Sequence, residues 1–182
     1  MNEPLPTFRH HPDPIRSGSV VSAATTCPAC NRARGYVYAG PVFSETDDLE
    51  DALCPWCIAD GTAHRKFDAT FFDSEAVDDA VPTATVATIT ECTPGFHTWQ
   101  SGRWPACCND AAAFLMPFGI TELRAQYREL EGFVLSHIIY ELGISGGAAT
   151  RMLEALHRDQ SPTGYLFQCP TCDTYHVHID HH

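Results

Sequence analysis

Residues 53–61 read LCPWCIADG, with Cys54 and Cys57 separated by two residues where Pro55 opens a helix. Such a tetrad serves thiol redox chemistry in glutaredoxin-type sites and metal binding in zinc knuckles, so it does not decide by itself. Two further tetrads share its form, CPAC at 27–30 and CPTC at 169–172. A redox site needs one active pair. A zinc site needs pairs in twos, because four soft thiolates close a tetrahedron around the ion. Cys27, Cys30, Cys54 and Cys57 make a C-x2-C…C-x2-C pattern with residues 31–53 between the pairs, slightly longer than the commonest zinc spacing. A C-x-x-C in a tight turn points both sulfurs to one side. A second pair in the first turn of a helix presents two more, and the helix N-terminus favours thiolate over thiol. The order of knuckle, hairpin and helix predicts a treble-clef or zinc-ribbon-like module. Its zinc, closed off by four thiolates, is structural and not catalytic.

The third tetrad, Cys169 and Cys172, lacks a matching pair. The adjacent Cys107 and Cys108 lie upstream of it, and His176 and His178 follow. A second zinc on Cys169, Cys172 and one or both of Cys107 and Cys108 would tie the end of the chain to its middle, closing a long loop where a cross-link constrains most. Neighbouring cysteines chelate one ion only with a strained backbone, so Cys108, Cys169, Cys172 and a histidine form a competing set. A position left to solvent would make this second site the catalytic candidate. Cys92 has no partner in this scheme and reads as a small buried apolar residue.

The chain of 182 residues carries nine cysteines and a net charge of −12. An odd count does not make a disulfide framework. No apolar run reaches the roughly eighteen residues a membrane span requires, and MNEPLPTFRHHPDP has neither the basic nor the apolar region of a signal peptide. These features place the protein in the cytoplasm. Nucleic-acid affinity rests on clustered Lys and Arg, so the acidity argues against a phosphate-binding surface. It suits a protein partner, one with a basic face included.

An α+β class follows from the remaining signals. Residues 1–75 read as an N-terminal arm and zinc module, and 76–182 as a helical region closed by a C-terminal strand and a second zinc knuckle, the whole forming one compact unit. His10 and His11, in the Pro-rich arm, read as solvent-exposed. GYVYAG reads as a strand, LCPWCIADGTAHRKF as one helix, and VPTATVATITECT as helix or strand. TPGFHTWQSGRWPACC reads as a loop with buried aromatics, and NDAAAFL as a helix capped by Asn109 or Asp110. Leu123, Tyr127, Leu130, Val134, Ile138 and Leu142 recur at helical steps, in one helix or in two broken near Gly132. Ser145 caps a further helix, and YLFQC is a strand.

LPTFRHHPDP, CPACNRARGYVYAGPVF, LCPWCIADGTAHRKFDATF, TPGFHTWQSGRW, CCNDAAAFL and YLFQCPTC together resemble the CbrC family of bacterial proteins, named for colicin tolerance. The resemblance implies a cytoplasmic zinc-binding protein and no established reaction. In that family His stands at the position of Cys107, which implies a ligand role there. The ligand sets and the absence of a nucleophile or paired-carboxylate motif lean away from an enzyme, towards a non-enzymatic interaction or stress- and toxin-tolerance protein with structural zinc. A zinc enzyme would use Cys107, Cys108, Asp110 and the C-terminal cysteines, or His97, Trp99 and Trp104. A helix-turn-helix regulator is the third class, outlined by residues 138–158, IIYELGISGGAATRMLEALHR. Its second helix carries few cations and opens on two glycines.

Overall fold

A computed structural model describes residues 3–100 and 102–181. His182, last of the terminal histidines, lies outside them. The fold mixes short helices with small antiparallel sheets. Among the described residues no helix is long and apolar enough to cross a membrane.

The chain enters through a four-residue helix α1 (Pro14–Ser17), capped by the Asp13 carboxylate and ended by Gly18 at φ 90°. Strand β1 (Val20–Ser22) then pairs antiparallel with β2 (Tyr36–Tyr38), Val20 opposite Tyr38 and Ser22 opposite Tyr36. The spacing of the cysteines predicts a hairpin between the two pairs. Instead the hairpin is drawn around the first pair, with β1 ahead of Cys27. Only β2 lies between the pairs, and its other edge contact is the Tyr38 N–H donating to the Leu53 carbonyl, next to Cys54. The helix expected over 53–67 is two, α2 (Pro55–Ala59) and α3 (Thr62–Phe67). Gly61, at φ 70°, turns the chain between them. Phe8, Tyr38, Leu53, Trp56, Ile58 and Phe71 pack with the cysteines into the first buried cluster.

VPTATVATITEC resolves to helix α4 (Thr83–Cys92), opened by Pro82. NDAAAFL is not a helix. Strand β3 (Ala106–Cys107) pairs with β4 (Asp110–Ala111), and β5 (Ala113–Phe118) begins two residues later. Alanine favours a helix, but tertiary burial overrides that preference here, since β5 is buried on both faces and contains Pro117. Proline is tolerated because β5 is an edge strand. The sheet order is β5, β6 (Thr163–Gln168), β7 (Tyr175–Asp180), antiparallel throughout.

Alternation along this sheet sorts its residues into two cores. Phe114, Tyr165 and Phe167 join Phe72, Phe96 and Trp104 in an aromatic cluster. Leu166, Val177 and Ile179 face a helical cluster with Leu123, Val134, Ile138 and Leu153. The register slips between Phe114 and Met116, so Met116 sits opposite Leu166 and Phe118 also turns to the helical side. The helices there are α5 (Ile120–Gln126), α6 (Glu131–Tyr140) and α7 (Gly147–Ala155). The break between α5 and α6 falls at Tyr127, whose backbone turns to φ −141°, and not at Gly132, which is absorbed into the first turn of α6. Gly146, not Ser145, stands at the cap of α7.

His10 and His11, expected at the surface, are 3% and 0% exposed. The arm that carries them lies across the middle of the chain. The Phe114 N–H donates to the His10 carbonyl, and His11 Nδ1 stands 2.6 Å from the Pro94 carbonyl with Nε2 2.7 Å from Ser17 Oγ. A carbonyl only accepts, so Nδ1 carries the proton, and Nε2 shares the one Ser17 hydroxyl hydrogen with the Pro14 carbonyl. That is the neutral imidazole, and burial holds it neutral by lowering its pKa to about 4. A pKa below the unfolded value of 6.5 means the unfolded chain binds more protons at intermediate pH. The stabilisation is complete above 6.5 and is lost as pH falls towards 4. About 2 kcal/mol of it disappears between pH 7 and 5. Urea titrations of the wild type and His11→Gln should show their stability difference shrinking by that amount; a gap independent of pH would show that His11 titrates normally.

Candidate metal centres

The first sulfur cluster joins a turn and a helix start. In the turn after β1, the Asn31 N–H closes on the Cys27 carbonyl at 2.8 Å and the Cys27 N–H on the Arg32 carbonyl at 3.0 Å. Asn31 sits in the left-handed region at φ 54°. This geometry folds Cys27 and Cys30 onto one side. Cys54 stands at the N-cap of α2 and Cys57 in its first turn, while the Cys54 N–H donates to Cys27 Sγ at 3.3 Å. Cys30 Sγ and Cys54 Sγ are 3.9 Å apart, and all four sulfurs lie within 4.8 Å of one another. Lys66, the one lysine in the sequence, reaches back from the end of α3 to the Pro28 carbonyl at 2.7 Å and clamps the turn. Three of the four cysteines are buried.

Sulfurs this close cannot all ionise on their own. A hydrogen bond from Cys54 leads the effects that pull the Cys27 thiol down to about 4, with backbone N–H groups adding to it. Burial, and the neighbouring Cys27 and Cys30, push Cys57 up to about 12. A divalent cation removes this conflict, since it compensates several thiolates at once and expels their protons on binding. The arrangement therefore fits a metal ion.

The second cluster is built from two hairpin turns. Cys107 ends β3 opposite Asp110, and Cys108 and Asn109 between them have φ of 52° and 59°. Two successive left-handed residues make a type I′ turn, and this strained backbone is what lets neighbouring cysteines face one point. Cys169 and Cys172 occupy the turn between β6 and β7, closed by the Cys169 N–H on the Thr174 carbonyl at 2.8 Å. Cys107 Sγ lies 3.7 Å from Cys172 Sγ and 3.8 Å from Cys108 Sγ, and the four sulfurs again fall within 4.8 Å of one another. Thr174, sharing a hydrogen bond with Cys172 at 3.2 Å, leads the effects that pull its thiol down to about 6. Unlike the first cluster, this one has only Cys169 buried; Cys108 and Cys172 are exposed.

Neither histidine of the competing set joins it. β7 turns Val177 and Ile179 to the helical core, so His176 and His178 face the other way, and His178 stacks on Tyr165 with ring centres 6.0 Å apart. Asp110 lies two residues beyond Cys108, at the end of the same turn. Its carboxylate takes Arg9 Nε and His10 Nε2, each at 2.9 Å, and these bonds hold its pKa below the ordinary value although burial pushes the other way. Of the aromatic set, His97 and Trp99 line an open cavity of about 460 Å³ with Phe96, Tyr165 and Arg158. Trp104 is absent from it, locked in the aromatic core. Cys92 joins neither cluster.

A model of the uncharacterised protein family UPF0167 matches residues 5–181. The chain belongs to UPF0167. Its relatives include UPF0167 protein PA1536 of Pseudomonas aeruginosa, 39% identical over 99% of both chains. UPF0167 proteins Mb2317 of Mycobacterium bovis and MT2352 of Mycobacterium tuberculosis are each 39% identical over 97% of this chain and 93% of theirs. No solved structure matches. The resemblance to CbrC is thereby corrected. The matching family and relatives carry the UPF0167 name, and nothing in them supports the CbrC assignment or a link to colicin tolerance. Motif resemblance misled because C-P-x-C tetrads and their flanking turns mark a kind of metal site, not a biological role.

Proposed function

We propose that this UPF0167 protein is a cytoplasmic zinc protein whose two ions act as structural cross-links, and that it works by contact with a protein partner, not by catalysis. The observation that carries this reading is the pair of sulfur quartets, each presenting four thiolates and no other ligand type. Four soft donors favour zinc and leave no position for a reacting water. The first quartet, a knuckle set against a helix start, is read as treble-clef-like, and the second, at two hairpin turns, as zinc-ribbon-like. Thiolate ligands suit a reducing compartment.

An acidic exterior supports a basic protein partner. Glu45, Asp47, Asp48, Glu50 and Asp51 are all exposed on one loop. DNA binding has less behind it. Arg151 is the one cation on α7, whose Glu154 is held by Arg124 at 3.0 Å, so a packed helical hairpin accounts for the segment.

Elemental analysis of the full chain, purified reduced and without air, tests the zinc reading. The expected result is two zinc ions per chain, with X-ray absorption giving four sulfurs at about 2.3 Å. Metal-free protein that melts cooperatively overturns it, and a shell with oxygen or nitrogen would favour the enzyme.

A further inference from the structure

The two quartets differ in what shields them, and this difference gives them different chemistry. The first is the more enclosed: Cys27 and Cys54 are 0% and 1% exposed and Cys57 2%, Cys30 alone is half-buried, and Lys66 bonds the turn. The second stands open, with Cys108 and Cys172 exposed and Cys107 half-buried. A metal-bound thiolate keeps nucleophilic character, so access decides which one meets a soft electrophile.

We propose that the outer cluster is a site of oxidation by hydroperoxides, in which Cys172 and Cys107 form a disulfide and the metal is expelled. The inference rests on the zinc reading of both clusters. Cys172 is the exposed sulfur with a partner in line: Cys107 Sγ is 3.7 Å away. Its thiolate attacks one peroxide oxygen, the O–O bond breaks, and hydroxide leaves, giving a sulfenic acid on Cys172. The Cys107 thiolate then attacks that sulfur and displaces a second hydroxide. Two thiolates and one hydrogen peroxide thus become one disulfide and two hydroxides, taken up as water with two protons. The metal keeps two of four ligands and dissociates. Cys107 and Cys108 are comparably close, at 3.8 Å, but a disulfide between adjacent residues closes a strained eight-membered ring, which disfavours that pair.

The test uses the zinc-loaded, fully reduced chain, hydrogen peroxide and a zinc-sensitive dye. One of two zinc equivalents should appear at least tenfold faster than the other, with loss of two thiols, and peptide mapping should recover the Cys107–Cys172 link. Cys92→Ser should behave alike. Release of both equivalents at one rate, release of the inner one first, or a mapped disulfide within Cys27, Cys30, Cys54 and Cys57 overturns the proposal. A starting protein that never holds two zinc ions would instead overturn the zinc reading, so the two failures are distinguishable.

Discussion

Cys57→Ser is expected to leave the chain with one zinc ion instead of two and to unfold the module around the first cluster. The elements there are too short to stand alone. β1 and β2 have three residues each, α2 five and α3 six, well under the length at which an isolated helix holds in water. What joins them is the buried cluster in which the cysteines themselves are members. Structural zinc contributes about 10–16 kcal/mol of apparent folding free energy in small modules. Whole domains are stable by only about 5–15 kcal/mol. Serine binds zinc poorly and would leave three thiols crowded in a buried site, so the loss cannot be absorbed locally. Amide exchange should lose protection at Val37, Tyr38 and Ile58, while β5, β6 and β7, which rest on their own cores, keep theirs. Protection unchanged at those three residues, with one zinc gone, would show that packing alone holds the module.

The first cluster was legible because its geometry is local. A C-x-x-C turn and a helix start each fix a sulfur pair within a few residues, and only the meeting of the pairs is long-range. The second cluster was half legible. Nothing in the sequence around Cys107 and Cys108 announces a type I′ turn, and with Asp110 and the three alanines after it the stretch reads as a capped helix until the β5–β6 pairing buries it. His10 and His11 were misread for a similar reason. Their partners, Asp110 and Pro94, stand 100 and 83 positions away, and a polar arm carries no periodicity to reveal burial. β7 had a usable signal: in YHVHID, Val177 and Ile179 alternate with His176 and His178, a pattern that places the histidines opposite the helical core, and neither joins the second sulfur cluster.

Trp104→Ala is expected to destabilise the protein by about 3–5 kcal/mol, the range for deleting a buried aromatic side chain. Trp104 is fully buried and meets Phe72, Phe96 and Phe167 with ring centres 5.0, 5.4 and 6.0 Å away. Its Nε1–H donates to the Ala112 carbonyl at 2.7 Å, so truncation also strands a buried acceptor and pushes the cost to the upper end of the range. Both backbone groups are engaged too, the N–H on the Ala76 carbonyl and the carbonyl accepting from Asp78. Every polar atom of this residue is therefore occupied in holding the segment that leads into β3. Trp104→Phe separates the contributions, since it keeps most of the ring contact and loses the N–H donor, for an expected cost of about 1–3 kcal/mol. Urea unfolding of the two variants measures both values. A loss below about 1 kcal/mol for alanine would mean the cluster collapses around the gap, and would free Trp104 for the binding role that its place in the core now denies it.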